Sequence, residues 1–329
     1  MTTKGNILII RLSSMGDIVL TTPLIRILHH MGYRVEFLVK PAFSEILAGN
    51  PYIHKLHYYS PSFCKFIRSQ EKPKYDHIID LQNNLRSRKL TLTLGAPTTR
   101  LNKINLRKWL LTALKINLLP SVHVVDRYIA AGRKLGAKND GKGLDFFLDA
   151  RDIPGDAITG TAPFVAMAIG AAHETKSIPV ELGAQILQQL PYPVILIGAL
   201  KDWERAHEMA ERSSHPNVKN LCGKLSIRGS AGIISKAKAV IAPDTGMMHI
   251  AAALRKPLTV IWGNTVPAFG MGPYYPEDTP HFNIEVSGLS CRPCSKLGHP
   301  QCPKGTFQCM QGHNPKAIAG KILTLVETK

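Results

Sequence analysis

This sequence predicts an α/β protein of two domains, each built around a parallel sheet, and three observations carry that expectation. The chain has 329 residues, more than one hydrophobic core usually organises, so two domains of comparable size are expected. Short β-branched runs alternate with amphipathic or mixed stretches of helical length, which is the spacing of βα units. A polar stretch containing Gly and Pro, DARDIPGDAITGTAP (149–163), interrupts the helical pattern midway and reads as a linker. The expected domains are therefore residues 1–155 and 156–329.

Each element follows from that reading. In the first half the strand candidates are ILIIRL (7–12), RVEFLVK (34–40), HKLHYY (54–59), DHIIDLQ (76–82) and TTRLNK (98–103), with helical segments after 17, 41, 61, 84 and 105. The second half offers FVAMAIG (164–170), PVILIGA (193–199), VKNLCG (218–223), AVIAPD (239–244) and LTVIWG (258–263), with helices near 178, 201, 226 and 245. The last segment, NPKAIAGKILTLVE, reads as a helix that packs back on a domain. The halves share an order of strands and helices, not a repeated sequence.

Composition narrows the partners. Lys and Arg number 41 against 23 Asp and Glu, a net charge of +18. That excess attracts something anionic: nucleic acid, a phosphorylated small molecule or the negative face of a membrane. No zinc finger, RNA-recognition aromatic motif or KH loop is present, which argues against nucleic acid. MTTKG is followed only by the short run ILII and then Arg11, which is not a secretory pattern, and no apolar run reaches the roughly 20 residues of a membrane span. A cytoplasmic protein is expected.

Two such domains facing each other would form a cleft at the carboxyl ends of their sheets, where parallel α/β folds hold ligands. Four short motifs fall at strand ends: SSMGD, GAAHETKSIP, PDTGMMH and GNTVPAFGMGP. SSMGD matches neither GxGxxG nor GxxxxGK[ST], so neither a dinucleotide fingerprint nor a P-loop is supported. Small residues Ser13, Ser14 and Gly16 let the backbone approach a ligand. Asp17 is either a helix cap or a general base taking the proton of an attacking hydroxyl; both readings stand on the residues alone. Lys176 could face solvent, or could neutralise a diphosphate leaving group, aided by free amides of a helix begun at Ile178 and Pro179. Asp244, Thr245 and Gly246 end a strand and start a helix; Asp244 could accept two sugar hydroxyls, and His249 could be a ligand contact or a packed core histidine.

Two further features remain. Arg86, Arg88, Lys89, Arg100, Lys103, Arg107 and Lys108 fall in an interval without an acidic residue, followed by Trp109, Leu110, Leu111 and Leu114. Such a segment packs within a domain, or rests at a membrane interface and recruits a phosphorylated lipid-linked acceptor. Cys291, Cys294, Cys302 and Cys309, in CRPCSKLGHPQCPKGTFQC, permit a structural zinc knuckle of four thiolates, with His299 or His313 able to replace one ligand. Packed thiols or a conditional disulfide are the alternatives, and a ferredoxin spacing is absent.

RLSSMGDIVLTTP, KSIP, GKLSIRGSAGIISKAKAVIAPDTGMMHIAAAL and WGNTVPAFGMGP together resemble the bacterial heptosyltransferase family, glycosyltransferase family nine. The resemblance spans most of the chain. It implies two Rossmann-like domains in the GT-B arrangement, with a cysteine-containing C-terminal loop found in some members. The implied activity is transfer of heptose from ADP-heptose to the inner core of lipopolysaccharide, with inversion and no required metal. The implied acceptor is a phosphorylated lipid A-core on the cytoplasmic face of the inner membrane. Carried over by residue, the catalytic aspartate falls on Asp17 and the phosphate-binding lysine on Lys176. The DTGxxH signature falls on Asp244, Thr245, Gly246, Met247, Met248 and His249, which with Ser13 and Gly16 make the donor-binding set. Glu204, in KDWERA, resembles the glutamate that meets the donor nucleoside, and a surface carboxylate there would look the same. A transferase using another nucleotide sugar and a noncatalytic nucleotide or anionic-glycan binding module are the rival readings.

Overall fold

The structure, a computed structural model, describes residues 3–67, 69, 74–276 and 279–327. It contains two compact units. The first comprises the chain up to Lys103 together with Val122–Phe147; the second comprises Ile104–Ser121 together with Leu148 onward. The chain thus passes between units at three places, 103/104, 121/122 and 147/148, where the sequence suggested a single crossing after residue 155.

In the first unit five parallel strands are ordered β3-β2-β1-β4-β5. They are β1 (Asn6–Ile10), β2 (Arg34–Val39), β3 (Lys55–Tyr58), β4 (His77–Asp80) and β5 (Thr98–Arg100). β1 is central because its residues Ile7 to Ile10 are apolar on both faces and fully buried, as a strand covered on two sides must be. It pairs with β2 (Ile7 with Val35) and with β4 (Ile7 with His77). The helices are α1 (Met15–Val19), α2 (Thr22–His30), α3 (Pro61–Phe66), α4 (Leu85–Leu94), α5 (Asn105–Trp109) and α6 (Val124–Ala131). Of these, α5 belongs to the second unit and continues into a π-helical turn, Leu110–Leu114. α4 begins where the Asn84 side chain accepts from the Ser87 amide and Ser87 Oγ from the Asn84 amide, each at 3.0 Å. It ends at Gly95, whose left-handed φ of 74° suits a residue without Cβ.

The second unit has six parallel strands ordered β11-β10-β9-β6-β7-β8. These are β6 (Val165–Ala168), β7 (Val194–Ile197), β8 (Val218–Asn220), β9 (Ala239–Pro243), β10 (Leu258–Trp262) and β11 (His281–Glu285). Its further helices are α7 (Asp156–Thr159), α8 (Val180–Gln188), α9 (Trp203–Ser213), α10 (Ile227–Lys236), α11 (Gly246–Ala253), α12 (Gln308–Gln311) and α13 (Pro315–Glu327). α13 closes the core: Ile318, Ala319, Ile322 and Leu325 are buried in the cluster that holds Leu182, Ile186 and Ile241. All ten expected strands are present. β11 had no counterpart in the sequence reading, because HFNIE lies at the sheet edge with alternate residues exposed and lacks the apolar run of a central strand.

In both units the chain reverses its direction of travel across the sheet beside the first strand, between β1 and β4 and between β6 and β9. The loops leaving the carboxyl ends of strands at such switch points are where open α/β sheets bind ligands.

Candidate active site

In the first unit, β1 delivers the chain through buried Arg11 and Leu12 into the turn that starts α1. Gln82, beyond β4, fixes this turn: its Oε1 accepts from the Leu12 amide (2.9 Å) and the Ser13 amide (3.4 Å). Asp17, in the first turn of α1, has both carboxylate oxygens engaged. Oδ2 meets Arg11 Nη2 at 2.7 Å and accepts from Ser14 Oγ (2.8 Å) and the Ser14 amide (3.2 Å). Oδ1 accepts from Tyr128 Oη on α6 at 3.2 Å. Burial pushes the Asp17 carboxyl up, but the Arg11 guanidinium and the Ser14 donors more than offset it, so it lies below the ordinary carboxylate value. Arg11 is itself fixed, with Nε donating to Ser13 O (2.8 Å) and Nη1 to Leu81 O (2.6 Å). Asp17 therefore caps its helix and is also an oriented, ionised carboxylate at a switch-point loop. Ser13 is half-buried and Gly16 buried beside it.

In the second unit, Lys176 closes a short 3₁₀ turn (Glu174–Lys176) beyond β6. Its Nζ lies 2.6 Å from Oδ2 of Asp244, the residue after β9, and Thr265 Oγ1, beyond β10, donates to the same oxygen at 2.7 Å. Loops from three neighbouring strands thus converge on one ion pair. Their packing is close: a Cβ on Gly263 would stand 2.6 Å from the Thr175 carbonyl oxygen, so β10 must hand over to a glycine there. Thr245 precedes α11 as its N-cap, Gly246 and Met247 are partly accessible, and Met248 and His249 are buried, His249 with 2% exposure. Glu204 sits exposed in the first turn of α9. Its neighbour Asp202 is buried, accepts from the Ala199 amide (2.9 Å), and leaves no room for a Cβ at Gly170, which would come within 2.1 Å.

The basic interval divides between the units. Arg86, Arg88 and Lys89 are exposed on α4, Arg100 is exposed at the end of β5, and Lys103 is the last residue of the first unit before the crossing. Arg107, Lys108 and Trp109 belong to the second unit, where Lys108 lies over the Phe269 ring, 5.9 Å from its centroid. Trp109 is 54% exposed and Leu106 71%. The cysteines are all free thiols. Among the described residues no helix is long and apolar enough to cross a membrane.

The profile of glycosyltransferase family 9 (heptosyltransferase) matches residues 63–300, well over half of the chain. The chain belongs to glycosyltransferase family 9. As a member it is a glycosyltransferase. Lipopolysaccharide heptosyltransferase 1 of Pseudomonas aeruginosa is 27% identical over 324 residues, covering 88% of this chain and 86% of that protein. Among solved structures, a family 9 glycosyl transferase from Veillonella parvula aligns with a TM-score of 0.75 at 20% identity over 99% of this chain and 98% of its own. Escherichia coli heptosyltransferase WaaC with ADP aligns at 0.69 and 21% identity, over 97% and 99%. Those likenesses establish the two-unit α/β fold.

Within this family 9 chain the sequence reading had singled out Asp17, Lys176 and Asp244, and the structure puts the last two in contact. It had not found Arg11, Gln82, Tyr128 or Thr265. Arg11 carried one legible signal, a charge inside the apolar run ILIIRL. Tyr128 carried none, since its contact with Asp17 joins positions 111 apart in sequence.

Proposed function

We propose that this chain moves heptose from ADP-heptose to the inner core of lipopolysaccharide by a single inverting displacement. The observation that carries the reading is the Lys176–Asp244 pair at the β6/β9 switch point. It offers a fixed cation for a diphosphate and, one residue before a helix N-terminus, a carboxylate for sugar hydroxyls. Two relatives support the choice of donor and acceptor by their names, the lipopolysaccharide heptosyltransferase of Pseudomonas aeruginosa and the Escherichia coli heptosyltransferase solved with ADP.

In this mechanism the acceptor hydroxyl attacks the anomeric carbon from the side opposite ADP. Its proton passes to Asp17 as the new C–O bond forms, and the electron pair of the breaking bond goes to the β-phosphate oxygen of ADP. Because Asp17 is held ionised by Arg11 and Ser14, it is a weak base that is always ready. It takes the proton late, when bonding to carbon has made the attacking oxygen acidic. Lys176 exchanges part of its contact with Asp244 for the departing diphosphate and stabilises its growing charge. Thr265 keeps Asp244 in place for the donor's hydroxyls, and Thr245, Gly246 and Met247 line the start of α11 beside it. Glu204 serves the nucleoside end. No step calls for a cofactor. The acceptor's phosphates and the inner-membrane surface are met by the basic residues from Arg86 to Lys108 with Trp109.

Incubation with ADP-heptose and a panel of truncated lipopolysaccharide acceptors tests this, with ADP release and acceptor mass as readouts. The expected result is ADP release matched by a gain of one heptose on one truncation. Asp17→Asn should bind ADP as the parent does while turnover falls by about 10²- to 10⁴-fold, the usual contribution of a positioned base. Donor binding without transfer to any acceptor would instead assign the chain to the binding-module reading.

A further inference from the structure

Cys291, Cys294, Cys302 and Cys309 line one cavity of about 20 Å³ in the second unit. Cys291 and Cys294 come from the CRPC turn, Cys302 from the loop after it and Cys309 from α12. A space of this size holds a single water or ion. Four thiols, weak hydrogen-bond donors and acceptors but good ligands for soft metals, make up a large part of its lining.

Asn264 lines the same cavity with 1% exposure. Its Oδ1 accepts from Thr175 Oγ1 at 3.1 Å, whereas its Nδ2 is buried with no hydrogen-bond partner. An amide N–H buried in this way costs free energy that a native site normally recovers. Cations also surround the thiols: Arg292 lines the cavity, and Lys115 Nζ donates to the carbonyls of Cys291 (3.1 Å) and Pro293 (2.8 Å).

We propose that these four cysteines form a tetrathiolate site for a soft divalent metal, zinc or iron. Four sulfur ligands in a closed site select these metals, the positive surroundings offset the excess thiolate charge, and Asn264 Nδ2 gains a metal-bound sulfur as acceptor. On binding, each thiol gives its proton to solvent and the ion sheds its waters. Among the described residues no three His, Cys, Asp or Glu are grouped closely enough to hold a metal ion, so binding requires the thiols to move toward one another. Neither nearby histidine is needed as a ligand: His299 Nε2 faces Cys294 O (3.3 Å) and His313 Nε2 faces Trp262 O (3.1 Å).

The site also governs the donor-binding turn. The His299 amide donates to Thr175 Oγ1 (2.8 Å), and the Thr175 amide donates to His299 O (3.2 Å), so the cysteine segment clamps the residue before Lys176. That consequence rests on the proposed nucleotide-sugar reading; the metal site does not.

The test is the full chain purified under reducing conditions, with metal content by plasma mass spectrometry and cobalt(II) reconstitution of the stripped protein. About one zinc or iron per chain is expected, with thiolate-to-cobalt charge transfer and tetrahedral ligand-field bands, and Cys294→Ser and Cys302→Ser should each abolish stoichiometric binding. Because a variant can fail by misfolding, the decisive negative comes from the parent chain. No stoichiometric metal and no thiolate–cobalt band, or a disulfide between any two of the four residues in freshly reduced protein, overturns the site. ADP affinity should fall about tenfold on stripping; equal affinity with and without metal overturns the clamp. Metal binding in a chain that never binds ADP would leave the site standing and count against the proposed function instead.

Discussion

In the proposed mechanism Asp17 is cap and base at once. The Ser14 donors fix it to its helix, and Tyr128 and Arg11 aim it, so the same contacts that hold the start of α1 also orient the carboxylate for the role proposed above. The balance between burial and Arg11 makes a pH prediction. Burial raises the Asp17 pKa and Arg11 is the foremost influence lowering it; Arg11→Gln leaves burial less opposed, so the pKa rises. The base works ionised, and activity is therefore lost as pH falls through its pKa. The acid limb of the kcat/KM profile should move to higher pH in Arg11→Gln, read on chain whose melting temperature shows it folded. An unmoved limb would mean that Asp17 does not set it. This residue-level partnership was only half legible in sequence. Asp17 and Lys176 announce themselves as charges in the segments that follow apolar strands, but Tyr128 reaches Asp17 from α6, and the pairing of Lys176 with Asp244 depends on β6 lying next to β9, an order that a linear reading does not give.

At the scale of elements, the geometry around the Lys176–Asp244 pair depends on how tightly the loops after β6 and β10 pack. Gly263 stands where the Thr175 carbonyl leaves no room for Cβ, and Arg292 reinforces the same loop by donating to the carbonyls of Gly263 and Thr265. Gly263→Ala must push backbone against backbone, at a cost of about 1–3 kcal/mol as for other overpacked sites, and the displaced turn carries Lys176. A lower melting temperature and weaker ADP binding, by calorimetry, are expected together. Gly272→Ala, at a position with nothing within 4 Å of the added Cβ, is the control and should change neither. Equal behaviour of the two variants would show that the close approach does not position Lys176. The central strands were legible because buried parallel strands are written as continuous apolar runs. β11 and the π-helical turn after α5 were not, since an edge strand needs only alternate burial and a π turn has no composition of its own.

For the whole molecule, the excess of positive charge and the excursion of residues 104–121 raise the same question. This segment leaves the first unit, joins the second and returns, yet it keeps much of its apolar surface outward: Leu106, Trp109, Leu114, Ile116 and Leu118 are all exposed. A segment retained only for packing would bury those side chains, as it does Leu111. Exposed Leu and Trp beside Arg107 and Lys108 fit the membrane contact proposed above, in which apolar contact and charge attraction to an anionic bilayer add. Each basic residue near such a surface contributes about 1 kcal/mol, so Arg107→Gln with Lys108→Gln should weaken binding to vesicles rich in anionic lipid by about thirty-fold. Binding should also fall as salt shortens the Debye length, and Trp109→Ala should reduce what remains at high salt. Vesicle co-sedimentation across lipid charge and ionic strength measures all three effects. Retention on anionic vesicles that is indifferent to salt and to both sets of substitutions would show that this face is not the one that meets the membrane.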